Sequence, residues 1–172
     1  MKSYICLLRG VNVGGRTVKM EELRRVIGGL GYEDVRTYIQ SGNILFKAQS
    51  LGKAVLQEQI SDAIQEGFGF RVPVLVLERE ELGDMLVRRP ERGDDAFWHL
   101  TYLADTPQEL DLTKVKVGEG EEWSIEGKVV YVYCPNGYGK TELHNMFWEK
   151  ALKVQATTRN WRTSKTLWEL SE

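Results

Sequence analysis

Cysteine and histidine are scarce in this chain, with two of each among 172 residues. Cys6 and Cys134 sit inside apolar segments, form no C-x-x-C pair and do not cluster with His99 or His144. That distribution argues against a disulfide framework and offers no metal site, so the thiols are expected to be reduced and structural. The histidines lack H-x-x-x-H spacing and nearby triad partners, and each reads as a structural residue rather than a base. Long apolar runs are missing too. No stretch reaches the ~20 apolar residues that cross a bilayer. The opening MKSYICLLRGVNVGG holds too short an apolar run for a secretory core. Both points favour the cytoplasm and no membrane. Nor is there a surplus of positive charge: 23 Lys and Arg against 25 Asp and Glu give a net −2, which excludes a globally basic nucleic-acid binder. Residues 150 to 166, however, carry Lys150, Lys153, Arg159, Arg162 and Lys165 with no acid among them, so a polyanion site would be local.

What the chain does have is apolar residues throughout, 42% of the total, enough to offset the entropy of ordering a chain of this length. YICLL reads as a buried strand, and MEELRRVIGGL places Met20, Leu23, Ile27 and Leu30 at helical spacing before Gly31. VRTYI and ILFK are strands around the hairpin punctuation QSGN. A helix follows over 51–70, with Leu56, Ile60, Ala63 and Ile64 on one face, then the strand VPVLVLE and a helical tail, REELGDMLVRR.

After the polar break RPERGDD the same order starts again. FWHLTYLA is a strand, TPQELDLTKV a short helix opened by Thr106 and Pro107, and EWSIEGKVVYVY a hairpin turning at Glu126-Gly127. TELHNMFWEKALKV is a helix with Leu143, Met146, Phe147, Ala151 and Val154 at helical spacing, QATTR a strand, and NWRTSKTLWEL a closing helix. Each half is βαββαβ plus a helix. Gly42 matches Gly127 in the hairpin turns, and LGK at 51–53 matches YGK at 138–140. The pattern predicts an α+β protein of two ferredoxin-like, split-βαβ subdomains from an internal repeat, at 1–92 and 93–172.

LLRGVNVGG (7–15), TYIQSGNILF (37–46), YGKTELHN (138–145) and ATTRNWRT (156–163) together resemble the bacterial domain of unknown function 1697 family, nearly from end to end. The resemblance implies an α+β protein with two related subdomains, and it supplies no activity, substrate or catalytic residue.

Three loops hold the candidate chemistry. RGVNVGGRTVKM joins a strand to a helix through Arg9, Asn12, Gly14, Gly15, Arg16 and Lys19. Its glycines allow close backbone approach, and its arginines offer forked donors for phosphate or carboxylate. IQSGN adds Gln40, Ser41 and Asn43 at a hairpin tip. In VYCPNGYGKTELH, Gly139-Lys140-Thr141 imitates a phosphate loop, but Cys134 occupies the position of the required first glycine and the helix follows a hairpin strand. Loose anion binding at that helix start, with Thr141 as its cap and Lys140 assisting, is the surviving expectation. In TTRNW, Arg159 and Asn160 are candidate ligand contacts, a helix cap being the alternative for Asn160, and Trp161 reads as packing. Tyr131 and Tyr133 on one strand, with Trp98 and Tyr102 on another, give a faint stacking platform for RNA without its full motif.

The function expected from these features is binding of a phosphate-bearing ligand, a nucleotide or nucleic acid. The alternatives are a protein-interaction or homo-oligomerisation module, its sheet faces and five tryptophans forming the interface, and an unrecognised enzyme such as a transferase. No catalytic residue, metal or cofactor is assigned.

Overall fold

The computed structural model describes residues 1–13, 15–108 and 112–172. The element order is β1 (Lys2–Leu8), α1 (Met20–Gly28), β2 (Glu33–Tyr38), β3 (Asn43–Ala48), α2 (Lys53–Phe68), β4 (Val74–Glu78), α3 (Arg79–Val87), β5 (Trp98–Leu103), β6 (Glu122–Glu126), β7 (Val129–Tyr133), α4 (Asn145–Leu152), β8 (Ala156–Asn160) and α5 (Trp161–Leu170). Among the described residues this makes a mixed α+β protein with five α-helices and two four-stranded sheets, ordered β2-β3-β1-β4 and β6-β7-β5-β8. Every strand pairing is antiparallel. The chain divides into two compact units, Met1–Asp84 with Thr166–Glu172 and Met85–Lys165.

In the first unit the pleat of β1 turns Tyr4, Cys6 and Leu8 to one side of the sheet, where they pack with Ile44 and Phe46 of β3 and Val76 of β4. Leu23 and Ile27 of α1 and Leu56, Ile60 and Ile64 of α2 join the same core. These are the i, i+4 positions of amphipathic helices, and burying each such side chain contributes roughly 1.5–3 kcal/mol. Ile5, Leu7, Leu45, Leu75 and Leu77, the alternate residues of the three strands, are buried as well, so neither side of this sheet is left bare.

The second unit repeats the scheme with larger side chains. Leu103, Val130, Val132 and Cys134 pack with Trp148 and Leu152 of α4 and with Leu143 and Ala156. Burial pushes the Cys134 thiol up to about 11, Glu121 adding to the shift. Trp98, Tyr102 and Tyr131 are also buried. Three of the four aromatics of the faint platform are therefore core: Tyr102 donates to Ser164 Oγ at 2.6 Å, and Trp98 stacks obliquely on the half-buried Tyr133.

Two helices differ from expectation. The helix read from 141 begins at Asn145, because His144 Nδ1 accepts from Phe147 N–H and acts as the cap. Thr141 instead accepts from Leu143 N–H at 3.0 Å, holding a turn before the helix. With that start, the buried stripe is Trp148 and Leu152, and Met146 is 57% exposed. The helix expected over 106–115 falls partly outside the described residues. Residues 106–108 are not helical, and Leu112–Lys114 form a single 3-10 turn.

Candidate functional site

The β1–α1 loop and the β2–β3 tip meet at the end of the first sheet. Leu8 N–H donates to the Gly42 carbonyl at 2.8 Å, and Asn12 Nδ2 donates to the Gln40 carbonyl at 2.6 Å. The same amide reaches the Val18 carbonyl at 3.1 Å, while Asn12 Oδ1 accepts from Val18 N–H at 2.8 Å. Asn12 N–H also donates to the Arg16 carbonyl at 2.7 Å. Asn12 holds φ 57°, a left-handed conformation that asparagine tolerates better than most residues. Its carboxamide is thus committed to backbone, which makes Asn12 a positioning residue rather than a ligand contact.

The loop is also tied to the entry of β4. Arg9 N–H donates to the Pro73 carbonyl at 3.1 Å, and Arg16 Nη1 to the Arg71 carbonyl at 3.2 Å. The Arg16 guanidinium lies 5.4 Å from the centroid of the Phe70 ring. Arg16, Lys19 and Gly15 are exposed and Arg9 is half-buried. Gly14 lies outside the described residues.

At the tip, Gln40 is exposed and Ser41 half-buried. Asn43 is fully buried and donates to the Tyr38 carbonyl at 3.1 Å and to Ser41 Oγ at 2.9 Å, bracing the hairpin from inside. Three residues without a sequence signal join this corner: Val13 (66% exposed), Ile39 (51% exposed) and Arg71. Arg71 could not be foreseen from spacing, because only the tertiary fold brings the entry of β4 to the loop.

In the second unit the candidates take different roles. Lys140 is exposed, in a 3-10 turn five residues before α4 begins. The helix start is therefore not behind Gly-Lys-Thr, and the anion site expected there loses its geometry. Arg159 is 9% exposed and donates through Nη1 to Thr157 Oγ1 at 2.7 Å and to the Thr158 carbonyl at 3.0 Å. Asn160 caps α5, its Oδ1 accepting from Thr163 N–H at 2.8 Å. Trp161 packs under the Arg89 guanidinium at 4.1 Å. An open cavity of about 670 Å³ in this unit is lined by Lys128, Lys153 and Asp105 among others, and among the described residues no candidate site residue lines it.

His99 stacks on Tyr138 with ring centroids 4.5 Å apart. Burial lowers its pKa from the ordinary 6.5, the Phe97 carbonyl opposing the shift. The unfolded chain therefore takes up this proton first. Stability is expected to fall as pH drops below about 6.5 and to level off once the folded imidazole also protonates, with a slope of at most ~1.4 kcal/mol per pH unit. Urea titrations from pH 7.5 to 5 check this. The His99→Phe variant, which keeps the stacked ring, should show a shallower decline.

Residues 1–131 match the family described as "Protein of unknown function (DUF1697)". A solved structure, that of the conserved bacterial protein SP0830 from Streptococcus pneumoniae, is similar over 99% of this chain and 98% of its own, with 25% sequence identity and a TM-score of 0.77. No curated protein matches.

Proposed function

Because this chain belongs to the DUF1697 family, whose description names no activity, we propose its function from its own residues: it binds a phosphate-bearing ligand at the corner formed by the β1–α1 loop and the β2–β3 tip. The observation that carries this reading is the Asn12 clamp, which joins the loop bearing Arg9, Arg16 and Lys19 to Gln40 at 2.6 Å. Three side-chain hydrogen bonds to backbone make Asn12, in a left-handed conformation that asparagine tolerates, a firm clamp. It is a reasonable way to hold exposed cations in one arrangement, which lowers the entropy lost on binding. Guanidinium and ammonium groups on such a frame favour phosphate oxygens.

Titration calorimetry with inorganic phosphate, pyrophosphate, tripolyphosphate and nucleotides tests the reading. Affinity should weaken as salt rises. The Arg16→Ala/Lys19→Ala pair should weaken it about tenfold or more, given the usual worth of a charged hydrogen bond. Heat release from none of the ligands, or equal affinity in the double variant, would end the proposal.

The finer architecture is part of the same reading. We take the halves, 1–92 and 93–172, as ferredoxin-like units of an internal repeat. The matching strand orders support this, as do Gly52 (φ 90°, ψ 143°), which precedes α2, and Gly137 (φ 99°, ψ 143°), which precedes the Tyr138–Lys140 turn with nearly the same backbone. We propose a cytoplasmic setting, supported by two buried free thiols, Cys6 and Cys134.

A further inference from the structure

Ile39 is out of place by two criteria. It is a large aliphatic residue 51% exposed at a hairpin tip, and its φ of 49° puts a β-branched side chain in the left-handed region. Branching at Cβ makes that conformation a true outlier, where glycine or asparagine would sit without strain. Strain of this kind persists where the surroundings impose it, and it gathers at ligand clamps. The surroundings here are those of the proposed site. Ile39 adjoins Gln40, whose carbonyl accepts from Asn12, and Val13, 66% exposed, adjoins Asn12 itself. Two exposed aliphatic residues are thus the chain neighbours of the pair whose contact fixes the cationic loop.

We propose that Ile39 and Val13 form an apolar lip that selects the organic part of the ligand, so that the site takes a nucleoside phosphate in preference to an inorganic one. This rests on the phosphate reading above and adds the substrate class to it. Arg16 and Lys19 hold the phosphates, and the face of the base lies against the two aliphatic side chains. Covering an aliphatic surface of about 50 Å² is worth about tenfold in affinity. That contact also gives the strained and exposed Ile39 a use.

Calorimetry with ATP and with tripolyphosphate, ligands that share their phosphate chemistry and differ in the nucleoside, separates the two ideas. The unmodified protein should bind ATP about tenfold more tightly. Ile39→Asn should remove that preference, leave tripolyphosphate affinity unchanged, and raise the melting temperature by about 2–4 °C through release of strain. Val13→Ser should reduce the preference without the gain in melting temperature. Equal affinities for the two ligands, both weakened by Arg16→Ala, would overturn the lip and leave the phosphate site standing. Binding of neither would remove both. A fall in melting temperature for Ile39→Asn, with the ATP preference retained, would make Ile39 a packing residue and overturn the inference.

Discussion

Gly42→Ala is expected to lower stability by about 2–5 kcal/mol, read as a reduced urea midpoint at unchanged slope. Two costs combine. Gly42 holds φ +77°, which costs a residue bearing Cβ about 1–2 kcal/mol. The new Cβ would also lie 2.5 Å from Val11 Cγ2 and 2.8 Å from Leu8 Cβ. Leu8 cannot withdraw, since it lies in β1, its N–H bonded to the Gly42 carbonyl at 2.8 Å. Overpacking of this kind costs about 1–3 kcal/mol. Gly127→Ala is the matched control: φ +57° with nothing within 4 Å, so only the conformational part applies. A loss in Gly42→Ala no greater than in Gly127→Ala would show that the corner yields easily. Displacement of Val11 also moves its neighbour Asn12, so Gly42→Ala should weaken phosphate-ligand binding although glycine touches no ligand.

Trp148→Ala should cost about 3–5 kcal/mol, the usual range for removing a large aromatic from a core. Trp148 is completely buried, packs 5.4 Å from Trp123 and edge-on to Phe147 at 5.0 Å, and donates Nε1–H to the Leu143 carbonyl at 3.0 Å. Truncation leaves a cavity and a buried carbonyl without its donor. Trp148→Phe, which retains most of the volume, should cost markedly less. If the two variants proved equally unstable by urea denaturation, the hydrogen bond rather than the packing would dominate.

Most strands were legible in the sequence through alternation and β-branching, although the strand read from VRTYI overran β2 by Ile39, which turns into the left-handed region instead. YICLL, ILFK and EWSIEGKVVYVY fall within or across β1, β3 and the β6–β7 hairpin. Helix beginnings were less legible. Thr141 and His144 both offer a cap, and a pattern of apolar residues cannot choose between them. Only the burial of Trp148 and Leu152 fixes the phase. The same order of strands was visible in both halves, and at LGK and YGK the letters and the backbone offer two different pairings. Backbone angles pair Gly52 with Gly137, whereas letters pair it with Gly139. At the candidate site, residue types pointed to the loop and the tip. They could not tell the exposed Lys19 from side chains with internal contacts, Arg16, Asn12 and Asn43, because those depend on partners 55 residues away for Arg16 and 28 for Asn12 and on complete burial for Asn43.

The two buried thiols have a practical consequence. With both thiols buried and that of Cys134 pushed up to about 11 by burial, neither is within reach of a maleimide in the native protein at neutral pH. A single cysteine introduced at the exposed Gln40 would therefore be the one position labelled in the native protein. A fluorophore there would report directly on events at the corner, with no need to remove the native cysteines.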